Sequence, residues 1–174
     1  MKGSAKNNIM SILLSIDRIN KREFYYLEQD GEFILYFLQD GKRNFYPTLF
    51  TSLTDLIAYY LFATSQEVPA EKVLFLASVI ITSRQRPRSI ESAIIKALKV
   101  EAIREAMKEG TVIFSFCKTN GVKRVAKGTT NFNLIPTEKQ PKGDSTRKKN
   151  PLQIYFYDVA ANASKSFLAS NIIY

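Results

Sequence analysis

The sequence of 174 residues contains no histidine, no tryptophan and a single cysteine. Without histidine, the chain lacks the common nitrogen ligand of zinc, copper and iron and the most frequent general base of enzymes. Cys117 cannot form an internal disulfide, and no catalytic Cys–His arrangement accompanies it. We therefore expect a protein without a transition-metal site, without a cofactor and without enzymatic activity.

Long hydrophobic runs are also scarce. The longest, Val73 to Ile81, is far shorter than the ~20 residues that span a bilayer. The hydrophobic run near the N-terminus is interrupted by Asp17 and Arg18, so no secretory signal is predicted. Because the sequence has one cysteine and predicts neither a membrane span nor a secretory signal, we expect the protein in the reducing cytoplasm.

Acidic residues are outnumbered by basic ones, 16 against 25, which gives a formal net charge of +9. This excess favours contact with nucleic acid or an acidic protein surface, although it also serves simple solubility. Most of it lies between residues 118 and 149, where the acidic residues are Glu138 and Asp144. The basic residues there are Lys118, Lys123, Arg124, Lys127, Lys139, Lys142, Arg147, Lys148 and Lys149.

The sequence predicts that residues 1–88 form a first part of the chain with both helices and strands. The apolar spacing over residues 9–19 fits one face of a helix, so a short helix is expected there. Three aromatic and β-branched runs follow, separated by Asp-Gly turns, and predict a three-stranded meander that ends at Pro47. The runs are residues 23–27, 32–38 and 43–46, and the turns are Asp30-Gly31 and Asp40-Gly41.

Two helices are expected next, from the cap residues 51–55 to about Ala63 and from Glu71 to Arg84, packed on each other. The basic, proline-broken segment 84–88 predicts the connection between two domains. Residues 1–83 contain more aromatic side chains than a small sheet and its helices need for their core. Either internal docking covers them, or part of this surface meets a partner.

Residues 89–174 predict a helix from Ser89 to Gly110 and then a small SH3-like or Sm-like β-barrel. Its strands are expected at residues 111–116, 122–127, 152–157, 165–168 and 171–174. The predicted fold class of the whole chain is therefore α+β. The polar segment 137–150 is expected to be a loop that is either functional or disordered.

Several short motifs in the second part resemble a family of Sm-like or SH3-like β-barrels that is similar to WYL domains. They are Glu105–Gly110, Phe114-Ser-Phe116, Gly121, Arg124, Ala126, Lys127-Gly-Thr129, Leu134-Ile-Pro136, Tyr155–Asp158 and Ser166-Phe167. The resemblance covers residues 101–174 and implies a barrel fold and an origin in Bacteroides-type bacteria or their phages. Relatives carry an aromatic residue followed by arginine before the Ser-Phe pair, whereas this chain has Ser164 and Lys165.

The candidate site is a nucleic-acid-binding surface of the barrel. It comprises Lys118, Lys123, Arg124, Lys127, Arg147, Lys148, Lys149, Tyr155 and Tyr157. Basic side chains neutralise phosphates, and exposed aromatic rings stack on bases. Strand alternation places Lys123 with Val125 and Arg124 with Ala126 on opposite faces, and it places Phe114 and Phe116 together in the core.

The leading hypothesis is a non-enzymatic, phage-associated or mobile-element-associated protein that binds single-stranded DNA or RNA with little sequence specificity. It would act in the host cytoplasm, or in the virion. Two alternatives stay open. One is a protein-interaction module, such as an adaptor or anti-defence factor, that uses the aromatic first half. The other is a WYL-like sensor of a small ligand or nucleotide.

Overall fold

The computed structural model describes residues 9, 11–64, 66–83, 89–143 and 149–173. It divides into two compact units, residues 1–65 and 66–174. The division therefore lies before the one predicted at residue 88. The second helix packs against the third, and this contact places it in the second unit. The basic segment 84–88 that suggested the boundary lies outside the described residues.

The first unit is a four-stranded antiparallel sheet and one helix. Its elements are β1 (Ser11–Asp17), β2 (Arg22–Gln29), β3 (Glu32–Gln39), β4 (Lys42–Phe50) and α1 (Leu53–Ala63). The strands are paired in chain order. The Asp-Gly turns are confirmed, since Asp30, Gly31, Asp40 and Gly41 all have positive φ, as a type I′ hairpin requires.

The helix predicted over residues 9–19 is wrong, because this segment forms β1. Its ladder with β2 is irregular between Leu13 and Ser15, and Leu14 at that point is buried. An extra residue in a strand breaks the two-residue alternation of apolar side chains. The broken alternation has the spacing of a helix face, and pairing with β2 decides between the two structures.

The prediction that Pro47 ends the sheet is also wrong. Strand β4 continues to Phe50, and its ladder with β3 is irregular between the Ile34 and Tyr36 positions. Pro47 lies opposite this irregularity on an edge strand of the sheet. A proline without a backbone N–H is tolerated at such a position, since no ladder hydrogen bond is lost there.

Helix α1 covers one face of this sheet. It begins at the cap Ser52, whose side chain accepts a hydrogen bond from the backbone N–H of Asp55. Tyr60 packs edge-on against Phe24 of β2, with 5.6 Å between ring centroids, and its hydroxyl donates to Ser15. Helix α1 also contacts strands β3 and β4 of this sheet.

The second unit contains two helices and another four-stranded antiparallel sheet. Its elements are α2 (Ala70–Thr82), α3 (Ile90–Glu109), β5 (Val112–Cys117), β6 (Lys123–Thr129), β7 (Gln153–Asp158) and β8 (Ala163–Leu168). Three-residue 3₁₀ turns occupy Phe132–Leu134, Thr137–Lys139 and Ala169–Asn171. The α3 prediction is confirmed, from the Ser89 cap to Gly110. No helix in the described ranges is long and apolar enough to cross a membrane.

The strands follow the order β5-β6-β7-β8, and their ladder does not close into a barrel. Strands β6 and β7 pair only at Gly128–Asp158 and Thr129–Tyr157. The segment after β8 returns to β5 through an isolated bridge between Phe116 and Ile172 and a 2.9 Å hydrogen bond from the backbone N–H of Ile173 to the Ser115 carbonyl. The α+β class is confirmed, whereas the predicted last strand is reduced to that bridge.

Helix α3 forms a hydrogen bond to the segment that follows β8. The Lys96 ammonium is buried and donates to the backbone carbonyl of Ser170. Burial lowers the pKa of Lys96, and the nearby Cys117 opposes that effect. The lysine therefore links α3 to the turn that precedes Ile172.

The core of the sheet is a cluster of phenylalanine rings. Phe114 and Phe116 of β5 contact Phe156 of β7 and Phe167 of β8, with ring centroids 5.1–6.3 Å apart. All four rings are buried, which confirms that Phe114 and Phe116 face the core. Gly128 of β6 lies against this cluster, and no side chain fits between it and the rings.

Replacing Gly128 by alanine is expected to lower the free energy of unfolding by about 1–3 kcal/mol. A Cβ atom there would lie 2.8 Å from Phe156, 2.9 Å from Phe114 and 3.1 Å from the Met107 sulfur. Urea unfolding followed by circular dichroism measures the change. The control is Gly110→Ala, where no atom lies within 4 Å of the added carbon. Equal stability of the two variants would contradict the close packing.

Candidate functional site

The β5–β6 hairpin presents a basic and apolar outer surface. Lys123, Val125 and Lys127 are exposed along β6, as the alternation predicts. Ile113 of β5 lies opposite Lys127 and is 70% exposed, and Val125 is 61% exposed. We call this surface, together with Lys118 at the start of the turn, the hairpin face.

The turn of the hairpin holds Lys118 at the edge of this surface. The backbone N–H of Lys118 donates to the carbonyl of Val122 at 2.9 Å, and the N–H of Gly121 donates back to the Lys118 carbonyl at 2.9 Å. Gly121 has a φ of +82°, which glycine adopts without strain. The turn therefore fixes the backbone of Lys118 while its side chain stays exposed.

The lysines of the hairpin face carry uncompensated charge. In the parts of the chain that the structure describes, none of Lys118, Lys123 and Lys127 lies within 4.0 Å of a carboxylate oxygen. Lys123 and Lys127 are four residues apart on one strand, which separates their Cα atoms by about 13 Å. Free ammonium groups with this spacing attract an extended polyanion rather than a single small anion.

Arg124 differs from the neighbouring lysines. Its side chain points to the other face of β6, and its Nη2 atom lies 2.9 Å from the Oδ2 atom of Asp158 on β7. The other oxygen of this buried carboxylate accepts hydrogen bonds from the backbone N–H groups of Ala160 and Ala161. Arg124 is therefore neutralised, and it links β6 to β7 instead of facing a ligand with the lysines.

The two predicted tyrosines have different surroundings. Tyr155 is 64% exposed on the outer face of β7. Tyr157 is 4% exposed, and its hydroxyl donates to the Asn162 side chain. Buried rings do not stack on a base, so of the two only Tyr155 is available for that contact.

The predicted loop 137–150 begins with a turn of regular structure. Its first residues form the 3₁₀ turn Thr137–Lys139, and the Gln140 side chain donates to the backbone carbonyls of Phe132 and Ile135, each at 3.0 Å. Lys149 is exposed. The predicted site residues Arg147 and Lys148 lie outside the described residues.

Sequence reasoning missed the apolar component of this surface. Besides Ile113 and Val125, Phe132 and Leu134 are 57% and 47% exposed. Alternation along β5 already placed Ile113 opposite the core residues Phe114 and Phe116. The alternation was therefore sufficient to predict that Ile113 is exposed. No sequence periodicity predicts the exposure of the residues in the 3₁₀ turn.

Comparison with known proteins matches residues 100–173 to one family model, WYL_2, described as an Sm-like SH3 β-barrel fold. The matched range runs from within α3 to the residues that bridge back to β5. It carries a WYL-like, Sm/SH3-like domain, which confirms the resemblance seen in the sequence. Neither the curated proteins nor the solved structures contain a significant match to the chain.

The different roles of Arg124 and Lys127 predict different effects of the same substitution. Arg124→Gln leaves the buried Asp158 carboxylate without its cation, so we expect the free energy of unfolding to fall by about 1–3 kcal/mol. Lys127→Gln changes an exposed side chain and is expected to stay within about 0.5 kcal/mol of the parent. Urea unfolding of both variants measures this, and equal effects would remove the structural role of Arg124.

Proposed function

We propose that the WYL-like domain of residues 100–173 binds single-stranded nucleic acid, without catalysis and with little dependence on base sequence. The observation that carries the proposal is the hairpin face, where three exposed lysines have no acidic partner among the described residues. Lysines without partners gain most from replacing counterions at phosphates, since they give up no ion pair when they bind.

Single strands are favoured over duplex by exposed aromatic and apolar side chains on the same sheet as the lysines. Tyr155 offers an exposed ring on the outer face of the same sheet. Unpaired bases present their faces for such stacking, whereas paired bases in a duplex do not. Phosphate contacts and stacking both tolerate any base, which accounts for the proposed lack of sequence preference.

The setting of this activity follows from the sequence resemblance. We propose that the protein comes from a phage or mobile element and acts in the host cytoplasm. Crosslinking, followed by sequencing of the copurified nucleic acid, tests this setting and distinguishes DNA from RNA. Recovery of sequences from many unrelated sites supports the proposed lack of specificity, and enrichment of one short motif contradicts it.

A protein partner is the second candidate, because the hairpin face also exposes Ile113 and Val125. Apolar side chains ringed by charge are typical of the centre of a protein interface. A pull-down with nuclease treatment separates the two roles. A partner that survives the nuclease and is lost on Val125→Asp favours the protein interface. A thermal shift with free nucleotides would instead favour a ligand-sensing role.

Binding to a labelled single-stranded oligonucleotide is expected to weaken with salt. With about five phosphates engaged, the slope of log affinity against log salt is about −3.5. Replacing Lys118, Lys123 and Lys127 by glutamine should lower the magnitude of the slope by about 2, since each lost phosphate contact contributes ~0.7. Fluorescence anisotropy between 50 and 300 mM salt, roughly the range where such contacts are screened, measures it.

The matched control for that experiment replaces Lys42, Lys99 and Lys108 by glutamine, which changes the net charge equally at exposed positions that are not part of the hairpin face. Its salt dependence should equal that of the parent protein. The proposal is abandoned if the two triple variants behave alike, or if the parent binds no single strand at low salt.

Replacement of Tyr155 by alanine is expected to reduce affinity by about 1–3 kcal/mol while leaving the salt slope unchanged, because stacking releases no counterions. Tyr155→Phe keeps the ring and should bind like the parent. The same anisotropy titrations measure both. Loss of affinity in the phenylalanine variant would show that the hydroxyl, and not the ring, makes the contact.

A further inference from the structure

A half-buried group of one arginine and three aromatic residues lies on the face of the first sheet that α1 covers. The guanidinium carbon of Arg22 lies 5.0 Å from the ring centroid of Phe37. The Phe37 ring contacts Tyr46 of β4 at 5.9 Å, and Tyr46 contacts Tyr59 of α1 at 5.7 Å. We call these four residues the Arg22 cluster.

The polar groups of this cluster lack partners. The Nε atom of Arg22 is buried and forms no hydrogen bond. Among the described residues, neither the Tyr46 nor the Tyr59 hydroxyl is hydrogen bonded. Buried donors without an acceptor are rare, since the lost hydration is not replaced. One buried donor without an acceptor, beside two tyrosine hydroxyls that make no hydrogen bond within the described residues, indicates a place for a ligand that supplies acceptors.

Charge around the cluster also favours an anion. The nearest acidic residue in the ladder is Asp17, opposite Arg22 on β1. Its carboxylate accepts hydrogen bonds from the backbone N–H groups of Ile19 and Asn20 and from the Asn20 amide, at 2.8–3.1 Å. Hydrogen bonds from Asn20 lower the pKa of Asp17 most, and the charge of Arg22 lowers it further. The two side chains form no ion pair, so no carboxylate in the described part of the first unit lies within 4.0 Å of the guanidinium.

The Tyr46 hydroxyl stays protonated in this environment. Burial raises the pKa of Tyr46 above its usual value, the neighbouring Tyr59 raises it further, and Arg22 lowers it slightly. The hydroxyl of Tyr46 is therefore a donor throughout the neutral and mildly alkaline range. The Tyr46 ring contacts the Tyr59 ring, and the charge of Arg22 acts on the Tyr46 hydroxyl.

We propose that the Arg22 cluster binds the phosphate group of a small ligand. Arg22, Tyr46 and Tyr59 donate hydrogen bonds to the three terminal oxygens, and the Phe37 ring holds the guanidinium plane in a fixed orientation. A terminal phosphate has three strong acceptor oxygens, which match the three donor groups, whereas a carboxylate has two. This site is independent of the hairpin face and belongs to the other unit.

The proposal is tested by calorimetric titration of the full chain with inorganic phosphate and with adenosine 5′-monophosphate, at constant ionic strength. We expect saturable binding of one phosphate group per chain. The double variant Tyr46→Phe, Tyr59→Phe keeps both rings and should bind at least about tenfold more weakly, because hydrogen bonds to charged groups are lost. Tighter binding of the nucleotide than of inorganic phosphate would identify an organic phosphate as the ligand.

Two controls locate the binding. Tyr25→Phe removes a hydroxyl that donates to Glu23 on the opposite face of the sheet, and it should bind phosphate like the parent. Lys123→Gln with Lys127→Gln should also leave phosphate binding unchanged. The proposal fails if neither probe binds, if the tyrosine double variant binds like the parent, or if the lysine variant loses binding instead.

Arg22→Lys supplies a second test should the tyrosine double variant unfold, which circular dichroism would show. Lysine keeps the charge at this half-buried position but cannot present a planar guanidinium to the phosphate. We expect at least a tenfold loss of affinity for both probes. Parent-like affinity in this variant would overturn the role of Arg22.

Discussion

The packing of Phe114 and Phe116 against Phe156 and Phe167 determines the outer surface of the second unit. Side chains alternate between the two faces of a strand, so burying these rings leaves Ile113 pointing outward from β5. Pairing with β6 then buries Ala126 and exposes Lys123, Val125 and Lys127. A slip of one residue would bury three outward side chains, and so the core packing fixes which residues any partner meets.

Local signals in the sequence were sufficient for most elements. The Asp-Gly turns, the Ser89 cap and the apolar spacing of α3 each act within a few residues, and each is found where it was predicted. The errors arise where non-local pairing decides. The irregular ladders at Leu13–Ser15 and at Pro47 depend on the partner strands β2 and β3, which no local pattern specifies.

The candidate site shows the same limit. Alternation predicted that Lys123 and Arg124 lie on opposite faces of β6, but it did not show which face is exposed or which partners the side chains have. Arg124 forms its ion pair with Asp158, which is distant in sequence, and Tyr157 is covered although it shares a face with the exposed Tyr155. Two residues of the same type can therefore have different roles, because each role depends on the side chains that the tertiary fold places beside the residue.

The bridge from Ile172 and Ile173 back to β5 also bears on how the chain is made. During synthesis, β5 and β6 leave the ribosome long before these residues do, and the free edge of β5 stays open meanwhile. A nascent chain at this stage can form the hairpin of β5 and β6, but the other edge of β5 is not yet covered. The edge of β5 therefore stays open to mispairing until residues 172 and 173 have also left the ribosome.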